Sequence, residues 1–233
     1  MKSFLQKSWD SGATGFNITQ PWKKVLGGAS INTLYRETEA TNWSATSTDS
    51  AGFFAGATRI GCQRENIRRA IFFGSGGAVD AIAKNLAVPV HCLVRDPAKY
   101  RSQQGAPSNR YFHDWSRDAF ERLLTASEKS GTLIVQATPA PFQGISLAEF
   151  VPPLTSLQGT TAAKVWFVDL CYGRDSDLLE GAKTVGIAAQ DGLPMLIEQA
   201  RSAQTIWWGK SAPYETIANA LTNFVTTKIS SGD

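Results

Sequence analysis

The chain has 233 residues, of which 42% are hydrophobic, 18% charged and 10% aromatic, a composition that builds a core and excludes a disordered tail or low-complexity linker. That length accommodates one large domain or two modest ones. The net charge is only +3, with 23 Lys and Arg scattered among 20 Asp and Glu, which gives no support for a DNA, RNA or anionic-membrane partner.

In chain order, the first ~55 residues are rich in Gly, Ser, Thr and Asn with short apolar runs only, and read as a separate small lobe or loop-rich platform. Ala70-Ile71-Phe72-Phe73 is a short apolar strand that ends in Gly74-Ser75-Gly76-Gly77, and Ala78 to Leu86 then reads as a helix. A second strand is expected over Val88 to Val94, with Pro89 near its first residues because proline cannot donate to a central ladder. A polar stretch and a helix over Asp118 to Ser127 lead to a third strand, Thr132 to Ala137. Lys164 to Leu170 is the fourth, Leu178 to Thr184 a helix, and Ile187-Ala188-Ala189 a weaker fifth strand. From Met195 the pattern turns helical, through Leu196, Gln199 and Ala200, and later Ile217, Leu221, Phe224 and Val225. Unbroken apolar strands alternating with helices predict an α/β fold, doubly wound around a parallel sheet.

No stretch approaches the ~20 apolar residues of a membrane span, and MKSFLQKSWDSGATG lacks the apolar core of a secretory signal. Cys62, Cys92 and Cys171 are far apart, without zinc or redox spacing. His91 and Cys92 sit in a hydrophobic run and read as core residues rather than metal ligands. A reduced cytoplasm is the expected setting.

Gly74-Ser75-Gly76-Gly77-Ala78 lies between a strand and a helix, where glycines permit a tight turn and let backbone N–H groups approach a pyrophosphate. About 20 residues on, where the dinucleotide fingerprint places the residue facing the adenosine ribose, stand Val94-Arg95-Asp96. Arginine there can hold a 2′-phosphate, whereas Asp96 disfavours it and can bond ribose hydroxyls, so NADP is favoured and NAD stays open. In the amino-terminal lobe, Gly15 to Lys23, Ala29 to Thr33 and Ser47 to Phe53 place small polar donors and single charges among tight turns. Lysine and aspartate brought together from them could move a proton to or from a reacting oxygen.

These fragments carry a resemblance. FNITQPWK resembles the NVTxPfK signature of the shikimate dehydrogenase family, GASINT (residues 28–33) its GAVNT element, and STDSAGF its NTDxxGF. GSGGA is similar to the family's GAGGA turn, VRDP to NRTP, IVQATPAP to viNATsxG, DLCYGRDSDLL to DlvYxPxxTxLL, and DGLPMLIEQARSAQTIWWG to xGlxMLvxQAxxxfxxWtG. The motifs keep the family's order from about Gly15 to Pro213. The resemblance implies a Rossmann-like domain with a smaller α/β substrate lobe: residues 1–57 the lobe, 58–190 the NADP-binding domain, and 191–233 helices returning toward the lobe. It implies NADPH-dependent, reversible reduction of 3-dehydroshikimate, or a related small cyclic hydroxy acid, with Lys23 and Asp49 as the catalytic pair. Thr19, Asn32, Tyr172 and Gln199 match substrate-binding positions. Gly74, Ser75, Gly76, Gly77, Ala78, Arg95, Thr138 and Gly192 match cofactor positions.

The chain departs from the family pattern in several places. Fourteen residues precede Gly15 and four separate Lys23 from Gly28, so a shortened substrate lobe is expected, lacking the family's SxS carboxylate clamp. Val94, Asp96 and Gln136 replace the family's asparagine, threonine and asparagine, and Pro139-Ala140-Pro141 displaces a glycine. A catalytically impaired nucleotide-binding relative, or a dehydrogenase for quinate or another small acid, are the alternatives. No metal is implied. Trp22, Trp207 and Trp208 are candidates either for a surface covered by a second copy or for core aromatics, so a monomer and a homodimer both remain open.

Overall fold

The computed structural model describes residues 2–19, 22–23, 31–37, 41–101, 108–125, 130–158, 164–174 and 176–221. Gln20, Pro21, Gly28 to Ser30, Ala126, Ser127, Phe224 and Val225, which figure in the expectations above, lie outside them. The chain divides into two compact units, Met1–Phe53 with Leu196–Asp233, and Phe54–Met195.

In the first unit, α1 (Lys2–Asp10) precedes three short strands, β1 (Gly15–Asn17), β2 (Thr33–Tyr35) and β3 (Ser44–Thr46), which pair antiparallel in the order β1-β2-β3. An aromatic ladder secures α1: Phe4 meets Phe16, Phe16 meets Trp43, and Trp43 meets Trp9, each with centroids 5.2–5.4 Å apart. Arg36 caps the ladder with its guanidinium over Trp9 and a bond to the Trp9 carbonyl. Such ring pairs add about 0.5–1.5 kcal/mol each beyond area burial, which compensates for strands of three residues. Trp207 belongs to this packing, its indole N–H bonding the Leu34 carbonyl at 2.9 Å, while Trp22 and Trp208 are exposed.

The second unit is a six-stranded parallel sheet: β4 (Arg69–Phe73), β5 (Val90–Val94), β6 (Arg110–Asp114), β7 (Thr132–Gln136), β8 (Val165–Asp169) and β9 (Ala188–Gln190), ordered β6-β5-β4-β7-β8-β9. Counted along this unit that is the order 3-2-1-4-5-6 of a Rossmann-like sheet, which reverses direction between β4 and β7. The expected strands are present, and Pro89 falls just before β5, with its carbonyl accepting from Ala70 N–H. β6 was not anticipated. Its sequence RYFHD is polar and half-exposed, because an edge strand contacts neighbours on fewer sides.

Chain order places α2 (Asp49–Ala57) before the sheet, α3 (Gly77–Ala83), α4 (Pro97–Arg101), α5 (Arg117–Thr125), α6 (Val151–Leu154) and α7 (Asp177–Thr184) between its strands, and α8 (Leu193–Trp208) after it. A further helix covers 214–221. Ile71, Phe73, Leu93, Ile134 and Phe167 of the sheet pack with Phe120, Leu124, Phe150, Leu154 and Leu178 into one buried core. Cys92 is fully buried, whereas His91 is half-buried and holds His113 at 3.0 Å. No described helix is long and apolar enough to cross a membrane.

Candidate active site

The first unit brings Lys23, Asn32 and Asp49 together. Thr48 starts α2, its carbonyl accepting from Gly52 N–H at 2.9 Å, so Asp49 falls in the first helical turn, where the positive end of the helix favours a carboxylate. Asp49 is 3% exposed and Asn32 4%. Lys23 Nζ lies 3.0 Å from Asp49 Oδ2, and Asn32 Nδ2 donates to the other oxygen, Oδ1, at 2.6 Å. A buried carboxylate with a charged partner on one oxygen and an amide donor on the other satisfies the requirement that buried charge be paired and hydrogen-bonded.

Asn32 is itself held on every side. Its Oδ1 accepts from Thr48 N–H at 2.8 Å and Thr33 Oγ1 at 2.9 Å, and Nδ2 also reaches Thr48 Oγ1 at 3.1 Å. Asn17 Nδ2 bonds Thr33 Oγ1 behind it at 3.2 Å. Both faces of the Asn32 amide are thus engaged inside the protein, which makes the residue an orienter of Asp49. Thr19 is exposed on the turn that presents Lys23, its carbonyl accepting from Trp22 and Lys23 N–H. Gln199 on α8 packs against Gly52, where a β-carbon would come within 2.6 Å of the Gln199 nitrogen. The third residue after Asp49 must therefore be glycine for α8 to lie this close.

The second unit gathers the glycine turn and the exit of β7. Gly74 has φ +98, a left-handed conformation that side chains resist, and a β-carbon there would stand 3.0 Å from Thr138 Cγ2. Gly76 is exposed with open space where its β-carbon would be, and Gly77 begins α3. Ser75 and Ala78 flank this cradle and are part-buried. Arg95 is exposed just past β5. Asp96 Oδ1 accepts from Lys99 N–H at 3.1 Å, so one carboxylate oxygen is engaged at the start of α4.

Gln136, fully buried at the end of β7, shapes the turn that follows. Its Oε1 accepts from Thr138 N–H and from Thr138 Oγ1, while Nε2 donates to the Thr138 carbonyl at 3.1 Å and to Asp169 Oδ1 at 3.3 Å. Ser176 Oγ donates to the other oxygen of Asp169. Burial pushes the Asp169 pKa up, partly offset by the hydrogen bonds from Ser176 and Cys171. Tyr172 is exposed beside Phe142, rings 5.9 Å apart and edge-on, and Gly192 N–H bonds the Cys171 carbonyl at 2.9 Å. Sequence reasoning treated Gln136 only as a departure, and did not single out Thr48, Asp169 or Ser176. All three stood inside quoted motifs, Thr48 in STDSAGF and Asp169 and Ser176 in DLCYGRDSDLL, yet the roles of Thr48 and Asp169 rest on Asn32 and Gln136, which other segments bring to them. Among the described residues no group of three His, Cys, Asp or Glu could hold a metal.

No family model matches the chain. The shikimate dehydrogenase (NADP(+)) of Microcystis aeruginosa is 30% identical over 230 residues, covering 89% of this chain and 77% of its own length. The shikimate dehydrogenase (NADP(+)) of Streptomyces avermitilis is 31% identical over 225 residues, covering 86% and 72%. Among solved structures, quinate dehydrogenase from Corynebacterium glutamicum in complex with NAD shares the fold with a TM-score of 0.76, at 20% identity over 96% of this chain and 82% of that one.

Proposed function

The chain belongs to the shikimate dehydrogenase family of oxidoreductases, and from that premise we propose that it catalyses NADPH-dependent, reversible reduction of 3-dehydroshikimate to shikimate. The observation that carries the proposal is the Lys23–Asp49 pair at 3.0 Å with Asn32 at its back.

The glycine turn fits the cofactor's pyrophosphate: Gly74 takes the tight turn, and the open space at Gly76 lets backbone approach an anion. Ser75, Gly77 and Ala78 would complete that cradle, Arg95 would hold the 2′-phosphate, and Thr138 and Gly192 would lie at the nicotinamide end. NADP over NAD is supported by the relatives named shikimate dehydrogenase (NADP(+)) and by Arg95, exposed just past β5. When bound, the cofactor supplies the hydride that goes to the substrate's carbonyl carbon.

Lys23 does the acid–base work. In the reducing direction its ammonium gives a proton to the oxygen that gains charge, and Asp49 balances that ammonium and fixes its direction. Asn32 keeps the carboxylate from rotating away. Thr19 and Gln199 hold the substrate's polar groups. The three cysteines, all buried and free, fit a reducing compartment such as the cytoplasm.

The test is direct. Protein, NADPH and 3-dehydroshikimate are mixed and absorbance of the reduced nicotinamide is followed, with shikimate and quinate compared as substrates for the reverse reaction. Turnover with the shikimate pair is expected. Cofactor binding by calorimetry with no turnover on either acid overturns the proposed reaction in favour of a non-catalytic nucleotide-binding role.

A further inference from the structure

The turns on the cofactor side of the second unit converge on one residue, through its thiol and its backbone, that has no role in the account above. Cys171 follows β8 and is 5% exposed. Its thiol donates to the Thr138 carbonyl at 3.4 Å and accepts from Gln136 Nε2 at 3.8 Å, and the Phe142 backbone N–H points at the same sulfur. Its carbonyl accepts from Gly192 N–H at 2.9 Å, and its own N–H donates to Asp169 Oδ1 at 2.8 Å. Three stretches of chain therefore meet at one residue: the turn from the exit of β7 through Phe142, the exit of β8 and the turn into α8.

We propose that Cys171 is a positioning residue, holding Thr138, Phe142, Tyr172 and Gly192 in register as the surface that receives the nicotinamide end of the cofactor. The inference rests on the NADP-dependent reading above. Sulfur suits the task because its large radius reaches partners at 3.4–3.8 Å on several sides at once, where a hydroxyl oxygen must come closer to each. Burial, and then the neighbouring Asp169 carboxylate, push the thiol pKa up to about 12. The S–H thus stays protonated at neutral pH and remains a donor to the Thr138 carbonyl. Phe142 and Tyr172 are both substantially exposed, 50% and 40%, so the register set at Cys171 governs where two aromatic rings stand on the surface. Neither ring is placed by burial in a core. Their positions depend on the backbone that Cys171 ties down.

Cys171→Ala and Cys171→Ser are compared with the wild type by calorimetric binding of NADPH and of 2′,5′-ADP, which carries the adenosine half of the cofactor without nicotinamide. Backbone hydrogen exchange is measured in parallel without ligand. In Cys171→Ala, NADPH affinity is expected to fall about tenfold, the effect of losing roughly one net hydrogen bond, while 2′,5′-ADP affinity stays within about twofold. The Phe142 amide is expected to exchange faster, while the Gly192 amide, whose acceptor is the backbone carbonyl of residue 171, and the β4 and β5 amides keep their protection. Cys171→Ser, which keeps a donor but is too short to satisfy every partner, should fall between, and is read the same way if the alanine variant does not fold. Equal losses for NADPH and 2′,5′-ADP, or general loss of protection, would reduce Cys171 to an ordinary core residue and overturn the proposal. If the wild type binds neither nucleotide, the cofactor reading fails. In that case exchange alone decides, and an unchanged Phe142 amide in Cys171→Ala refutes the positioning role.

Discussion

Asn32→Ala tests the account of the catalytic pair most sharply, because Asn32 touches both the carboxylate and the backbone that carries it. The substitution removes the 2.6 Å bond to Asp49 Oδ1, a charge-assisted contact worth about 1.5–3 kcal/mol. It also strands Thr48 N–H, which donates to Asn32 Oδ1 at 2.8 Å, in a place where Thr48 is 2% exposed. An unsatisfied buried donor costs roughly 1–3 kcal/mol. Relaxation and entry of water recover part of the sum, so a loss of about 2–4 kcal/mol in unfolding free energy is expected. Asp49 keeps Lys23 as a partner but loses its orientation, and kcat should fall by about 10–100-fold, while NADPH binding, assigned to residues of the other unit, stays unchanged. Urea unfolding followed by tryptophan fluorescence gives the first number, and steady-state kinetics with calorimetry the others. A stability loss below about 0.5 kcal/mol together with unchanged kcat would refute the claim that the Asn32 amide orients Asp49.

Other outcomes follow from the same geometry. Lys23→Ala should lower turnover by about 10²–10⁴-fold, the range for a positioned proton donor, with NADPH binding preserved in calorimetry; wild-type turnover would remove Lys23 from the mechanism. Arg95→Gln should weaken NADPH binding by about 10–100-fold, the equivalent of one charge-assisted contact, and leave NADH affinity alone; a parallel loss for both nucleotides would contradict the phosphate assignment. His91 has its pKa lowered to about 4, chiefly by burial and then by His113 and Arg69. Its neutral form is therefore the native one, so its contribution is full above the ordinary value of 6.5 and is lost as pH falls toward 4. The urea midpoint should drop across that window more steeply in the wild type than in His91→Gln, and identical slopes would show that His91 does not drive the loss.

Much of the fold is written locally. The apolar runs at Ile71 to Phe73 and Val165 to Val168 need burial on both faces, and with helical stretches between them only a covered parallel sheet provides it. Gly74 announced its turn because few other residues accept φ +98. β6 escaped notice because RYFHD lies at the sheet edge, where no continuous apolar signal is required.

The site divides along the same line. Residue type and motif order made Lys23, Asp49 and the glycine turn visible as candidates. That the lysine and aspartate meet across 26 positions at 3.0 Å, or that Asn32 faces inward to the carboxylate, depended on how distant segments return to one another. Gln136 stood out in sequence only as an irregularity, and its use became apparent with Thr138 and Asp169 around it. Cys171 stood inside the motif DLCYGRDSDLL, but nothing in residue type or spacing told its use apart from that of any small buried residue. Periodicity and turn preference are properties of neighbouring residues, so the chain declares them by itself. Hydrogen-bond partners are chosen by the tertiary structure, because each buried polar group must be satisfied by whatever the folded chain brings within reach.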